Sequence, residues 1–270
     1  MIKLTHLPNL SNADYHALDA ISPSKLKLFA RSPLHYWAAY EAPDRLTIKP
    51  TSAMRLGIAL HIALLEPQLW SQQVAVKPVI DRRTKSGKAK AAEFDLLECA
   101  DKILLSENEA DDVEGMAAAI QTHPAARFLL EQGGHREHSY TWTDSTYGIT
   151  CKTRPDWHSA DRRLIVDIKT TQDCSRREFT RSIAQFDYHL QAAWNTQALG
   201  AEQFLIVAVE SQRPYAVAVY PISPEAMAAG ARRIDRAMEA LAQCRDTGIW
   251  PGPEGNLIAE PISLPGWCDD

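Results

Sequence analysis

Apolar positions recur at helical spacing in the first third of the chain. Ser22-Pro23 supplies an N-cap and a first-turn proline, and Leu26, Phe29 and Ala30 follow before Pro33 restarts the chain, so a helix is predicted from Ser22. A second helix is predicted from Thr51 or Ser52 to Leu65, with Met54, Ile58, Ile62 and Leu65 as its apolar stripe and His61 inside that stripe, hence buried. Helices are expected again between about 91 and 131, where LLECADKILL, VEGMAAAI and ARFLL carry the apolar residues. After Gly133-Gly134 the period changes. EHSYTWT, YGITCKTR and RLIVDIKT are rich in β-branched and aromatic residues and are split by turn signals at Asp144-Ser145 and Ser159-Ala160-Asp161, which predicts three sequential strands. Ser175 with Glu178 forms a capping-box pattern and sets a helix start, and another helix is expected from about Asp187 to Leu199. EQFLIVAVE and YAVAVYPI read as two more strands, Ser223-Pro224 caps a long helix reaching about Arg245, and the tail from Trp250 reads as irregular. This order predicts a single mixed α/β domain over 1–270, with a helical N-terminal part over about 1–131, a sheet core over about 135–246 and an irregular tail over 247–270.

Composition narrows the classes of function. A chain of 270 residues with 45% hydrophobic content is long enough to bury its own core. Five widely spaced cysteines without a C-x-x-C pair indicate neither a disulfide framework nor a zinc or iron-sulfur site. The opening MIKLTHLPNL breaks any secretory apolar run with Pro8 and Asn9, and no stretch reaches the roughly 18 apolar residues of a membrane helix, so a cytoplasmic location is expected. A net charge of −5 gives no global basic field, so any nucleic-acid contact has to come from local patches. One such patch is KPVIDRRTKSGKAK over 77–90, a basic stretch without helical or strand period.

The strand period of RLIVDIKT puts Leu164, Val166 and Ile168 on one face and Ile165, Asp167 and Lys169 on the other. Pro155-Asp156 closes the preceding strand, and a hairpin between the two would bring Asp156 close to Asp167. Two carboxylates so placed suit a hard cation such as Mg²⁺, which takes oxygen ligands and keeps waters for a substrate phosphate. Lys169 beside them would orient the attacking water or offset developing negative charge. Asp167 and Lys169 fit equally well a cross-strand ion pair on a solvated face.

A strand ending in PD, a DxK inside the next strand and a following helix resemble the PD-(D/E)xK nuclease superfamily, read as Pro155-Asp156 and Asp167-Ile168-Lys169. Several further segments carry a closer likeness: ISPSKLKLFARSP, MRLGIALHIALLEP, DRRTKSGK, KTRPDW, IVDIKTT and DYHLQAAW, spanning residue 21 to about 200. Together they resemble the RecE type of phage exonuclease, relatives of lambda exonuclease within the YqaJ-like group. The resemblance implies a restriction-endonuclease-like core, a mixed central β-sheet flanked by helices. It also implies Asp156 and Asp167 as metal-binding carboxylates, the Ile168 backbone carbonyl as a further ligand, Lys169 as the catalytic lysine and His61 as a metal-binding histidine from an N-terminal helix. Gly57, one turn before His61, would leave room beside the site or serve helix packing. Gln191 matches the glutamine of a Gln-x-x-x-Tyr motif, although Asn195 stands where the tyrosine would be. Tyr188 shares the face of Gln191, and Glu137, opening the first strand, matches an acidic position of the superfamily or is a solvated strand end.

For DNA contact, Ser22, Ser24, Arg31 and Ser32 lie at two helix starts suited to phosphate, where they also read as plain N-caps. Arg82, Arg83, Lys85 and Lys88 read as backbone clamps or as a solvated loop. No base-reading motif accompanies them, so sequence-independent binding is expected. The resemblance implies a Mg²⁺-dependent double-strand exonuclease, with Mn²⁺ as substitute. It would run 5′ to 3′, leave 3′ single-stranded tails, form a trimeric or tetrameric ring and work with a single-strand DNA annealing protein. The alternatives are a structure-specific endonuclease of the same superfamily and a DNA-end-binding module without catalysis.

Overall fold

The computed structural model describes residues 2–45, 50–78, 80, 83–85, 88–89, 94, 102–253 and 261–263. A five-stranded mixed sheet forms the centre. Its strands are β4 (Gly134–Arg136), β7 (Trp157–Ser159), β8 (Leu164–Thr171), β9 (Gln203–Glu210) and β10 (Val217–Pro221), in the order β10-β9-β8-β7-β4. Only β8 and β9 are parallel, and the chain between them forms the crossover that such a pair requires. That crossover holds α8 (Arg176–Gln185) and α9 (Tyr188–Leu199). Beside this sheet, β1 (Thr5–Leu7), β5 (Ser139–Thr143) and β6 (Thr150–Thr153) form a second sheet in the order β1-β5-β6, and β2 (Val74–Val76) pairs with β3 (Ile103–Leu105).

Alternation along β8 and β9 divides the apolar side chains between two layers. Ile165, Phe204, Ile206 and Ala208 pack with α2 (Pro23–Arg31), α9 and α10 (Pro224–Thr247), through Leu26, Phe29, Leu190, Trp194 and Leu241 among others. Val166, Ile168, Val207 and Val209 pack on the opposite side with α4 (Ser52–Leu65) and α6 (Glu107–Thr122), through Leu60, Ile62, Val113, Met116 and Ile120. Helices thus cover both faces of the central strands, which explains why β8 and β9 read as nearly continuous apolar runs.

The N-terminal segment is held on β6 by two cations. Lys152, 1% exposed, donates from Nζ to the carbonyls of Tyr15 (2.6 Å) and Leu18 (2.9 Å), at the end of α1 (Asn12–Ala17). Arg154 donates to Leu10 O and Ser139 Oγ, both at 2.7 Å, and its guanidinium lies 4.5 Å over the Tyr15 ring.

Several expectations change. The three sequential strands belong to two sheets, because β7 intervenes after Asp156 and returns the chain to the central sheet. Ile103–Leu105, expected as helix, is β3 paired with β2. The buried residues of α4 are Ala59, Leu60, Ile62, Leu64 and Leu65, with Leu56 and Ile58 partly buried against the same core, while Met54 is 50% exposed. The helix after Ser175 begins at Arg176 as expected, yet Ser175 makes no side-chain cap and Glu178 pairs with Arg181 instead. A complete capping box stands at Ser106 and Glu109. Within the basic stretch, Arg82 lies outside the described residues. Arg83, Lys85 and Lys88 are exposed, and Lys85 and Lys88 are helical where a loop was expected, the Lys88 N–H donating to Thr84 O at 2.9 Å. Among the described residues no helix is long and apolar enough to cross a membrane.

Candidate active site

The site is built where β7 stops pairing with β8. The hairpin register sets Trp157 opposite Val166 and His158 opposite Ile165, and continuing it sets Pro155 opposite Ile168. Proline has no N–H to give a ladder, so the backbone groups of Ile168 on that edge need other partners. Side chains supply them. Asp156 Oδ2 accepts from Ile168 N at 2.6 Å, and His61 Nε2 meets Ile168 O at 3.0 Å. The PD sequence therefore both ends the ladder and fills the gap it leaves.

His61 reaches this edge from α4, and its side chain is 27% exposed, so it is half-buried at a rim where full burial was expected. With Nε2 donating to Ile168 O, Nδ1 faces Asp156 Oδ1 at 3.5 Å and Glu137 Oε1 at 3.7 Å, and it becomes a ligand atom on giving up its proton. His61, Glu137 and Asp156 offer three ligand atoms all within 4.8 Å of one another, the one such group among the described residues. Glu137 does not open a strand. It sits in the bend between β4 and β5, at φ 52°, with its N–H donating to Asp156 O at 3.1 Å. That left-handed bend turns its carboxylate to the cluster, at a conformation ordinary side chains seldom adopt.

Asp167 and Lys169 project from the other face of β8. Asp167 is 1% exposed, with Oδ2 lying 2.5 Å from Lys169 Nζ as an ion contact outside hydrogen-bond angles, and Oδ1 accepting from Gln191 Nε2 at 2.6 Å. Gln191 Oε1 in turn accepts from Lys27 Nζ at 3.0 Å. Lys27 and Lys169 each place Nζ 5.2 Å over the Tyr188 ring. Lys27 was not legible in the sequence, since its partner lies 164 residues away.

The charges are strongly perturbed. Burial pushes the Asp156 carboxyl up, and the neighbouring Asp167 adds to this while His61 opposes it. Burial works against a charged His61, but Asp156 and Glu137 prevail and hold its imidazole up to about 9. Burial likewise opposes the Lys169 ammonium, and the carboxylates of Asp167 and Asp156 raise its pKa. For Lys27 the balance is reversed: burial and the adjacent Lys169 outweigh Asp167 and Asp187 and bring it down to about 7.

The remaining expected site residues lie apart from this cluster. Ser22 and Ser32 are buried and cap α2 and α3 (Pro33–Tyr40), accepting from Lys25 N and His35 N, while Ser24 and Arg31 face solvent. A Cβ on Gly57 would meet nothing nearer than Thr170 Oγ1 at 3.6 Å, so no close approach demands glycine there. Asn195 accepts from Thr153 Oγ1 at 2.5 Å and ties α9 to β6. An open cleft of about 820 Å³ borders the site, running from Ser52 and Leu56 past Thr170 to Phe186 and Tyr188.

A mixed sheet whose Pro-Asp turn and Asp-x-Lys strand meet at one edge is the arrangement of the PD-(D/E)xK-like folds. The chain belongs to the family described as a PDDEXK-like domain of unknown function (DUF3799), whose model matches residues 22–259. No curated protein matches the chain. Among solved structures, it is similar to a candidate exonuclease from Eubacterium rectale, with a TM-score of 0.64 at 14% identity over 94% of this chain and 96% of that one. At that identity the likeness shows a shared fold. A phage-related exonuclease from Haemophilus somnus 129PT (TM-score 0.35, 16% identity, 62% of this chain and 85% of that one) and the protein SSO0001 (TM-score 0.37, 13% identity, 83% and 77%) also match.

Proposed function

We propose that this protein is a divalent-metal-dependent DNA exonuclease. The observation that carries the reading is the cluster of His61, Glu137 and Asp156, two of which bond the Ile168 backbone, next to the Asp167–Lys169 pair on the same strand. One nitrogen and two carboxylates within 4.8 Å fit a small hard cation that retains waters, with Mn²⁺ tolerated through the imidazole. When bound, Mg²⁺ supplies Lewis acidity toward a phosphate oxygen and lowers the pKa of its water.

The chain's own residues do the rest. His61 Nδ1, Glu137 and Asp156 would hold the cation, with the carboxylate of Asp167 beside them. Lys169, kept charged by the carboxylates, offsets the negative charge that grows on the phosphate. Gln191 fixes the Asp167 carboxylate, and Lys27 fixes the Gln191 amide by occupying its oxygen. The sequence resemblance to RecE-type enzymes extends the proposal to 5′ to 3′ digestion of duplex ends, a ring-shaped homo-oligomer and a single-strand annealing partner. The discriminating experiment digests linear duplex and closed-circular plasmid in parallel with Mg²⁺. Loss of the linear DNA with the circle intact is expected, whereas nicking of the circle at a comparable rate would replace the exonuclease with an endonuclease.

A further inference from the structure

Four of the nine histidines gather at the seam between the two larger sheets, one of them, His138, next in sequence to Glu137 of the carboxylate centre. His6 lies on β1 opposite Tyr140, His135 on β4, His138 just beyond the Glu137 bend, and His158 on β7. We propose that His6, His138 and His135 form a second cation site, for a borderline divalent transition metal of the Zn²⁺ or Ni²⁺ kind.

The case rests on which nitrogens are committed. His158 is not a ligand: its Nε2 is bonded to the Tyr140 hydroxyl and its Nδ1 to Ser159 O, both at 2.8 Å, and it forms the buried back wall. His6 Nε2 and His138 Nδ1 face each other at 3.0 Å. Such a contact requires one nitrogen to direct a lone pair at the other's proton, so at least one imidazole is already poised as a ligand. Exchanging that proton for a cation with metal–nitrogen bonds of about 2.0–2.1 Å in tetrahedral geometry sets the two nitrogens roughly 3.3 Å apart, an opening of a few tenths of an ångström. His135 stacks on His138 with centroids 4.6 Å apart, and its nitrogens carry no hydrogen bond among the described residues. In the present arrangement its ring centre is 6.3 Å from that of His6, so it becomes the third ligand by turning on its half-exposed side chain. Tyr140 fixes the floor, stacked at 4.7 Å under His6.

Imidazoles without a carboxylate select a different ion from the neighbouring centre, because Mg²⁺ prefers oxygen ligands while Zn²⁺ and Ni²⁺ accept nitrogen. An ion held here would tie β1 to β4 across the bend that carries Glu137, stiffening that bend. The site does not depend on the nuclease reading, and its test uses binding alone.

The full chain without an affinity tag, stripped with chelator, is titrated with ZnCl₂ by calorimetry in the presence of excess Mg²⁺. The His61→Ala/Asp156→Asn variant, whose carboxylate centre is disabled, should keep one Zn²⁺ per chain that the wild type also binds. His6→Gln/His138→Gln should bind at least ~10-fold more weakly, and His135→Gln should be weakened in the same direction. Equal Zn²⁺ affinity in His6→Gln/His138→Gln, or loss of binding in the His61→Ala/Asp156→Asn variant alone, overturns the site. Should the double histidine variant melt early in chelator, His135→Gln decides: unchanged affinity there also overturns it.

Discussion

Replacing His61 by alanine should cost stability without metal and metal affinity with it. In the metal-free protein the imidazole lies 3.5 Å from Asp156 and 3.7 Å from Glu137, and these carboxylates outweigh burial to hold its pKa at about 9 against the ordinary 6.5. That difference corresponds to roughly 3 kcal/mol at about 1.4 kcal/mol per pKa unit, as a ceiling, because His61 and Asp156 titrate as a pair. The folded value lies above the unfolded one, so this stabilisation is full below the unfolded pKa of 6.5 and is lost as pH rises through about 9. Chemical denaturation of His61→Ala in chelator should therefore show a loss of at most roughly 3 kcal/mol near pH 6, clearly larger than near pH 10. Near pH 10 only about 1 kcal/mol should remain, from the lost hydrogen bond to Ile168 O. A cation competes with the proton for Nδ1, so wild-type metal affinity should climb with pH up to about 9, and the variant should need ~10-fold more Mn²⁺ for half-maximal cleavage. A variant with wild-type stability at both pH values and an unchanged Mn²⁺ midpoint would refute the reasoning.

Lys27→Met frees the Gln191 amide to turn and should slow cleavage about 10-fold, equivalent to about 1.4 kcal/mol, with Lys27→Arg recovering part of it. Equal single-turnover rates for wild type and Lys27→Met would remove Lys27 from the positioning chain. Neutralising Arg82, Arg83 and Lys85 together should weaken duplex binding and flatten the log-log salt slope by up to roughly 0.9 for each phosphate that is no longer neutralised; an unchanged slope would take the stretch out of the DNA path. Lys152→Met leaves the carbonyls of Tyr15 and Leu18 without their buried donor and should cost about 2–3 kcal/mol in urea denaturation, against no change if the N-terminal segment is held otherwise.

The parts of the fold readable in the sequence are those with strong local signals. The helices starting at Pro23, Ser52 and Pro224 announce themselves through Ser or Thr caps that the structure uses, and β8 and β9 through long β-branched runs. The Pro155-Asp156 and Asp167-Ile168-Lys169 pairing was legible because a hairpin register follows from a short turn. Short elements escaped. Three-residue strands such as β1, β3 and β7 are too brief to show a period, and their existence depends on partners far along the chain. Glu137 looked like a strand opening because its left-handed φ has no signature in a glutamate. Lys27 and the histidine group stayed hidden for the same reason: their meaning lies in pairings made across 132 and 164 residues of sequence.

The most direct test of the proposed centre is release of acid-soluble nucleotides from linear duplex DNA in Mg²⁺ by wild type and Asp167→Asn, each first shown to melt at the same temperature. Asn keeps the volume and a partner for Gln191 but removes the charge that faces Lys169 and the cation. Release by the wild type that stops on chelation and falls by more than about 100-fold in Asp167→Asn is expected for loss of a charge that acts in the transition state. Release at the wild-type rate by the variant would contradict the assignment of this centre to phosphodiester cleavage.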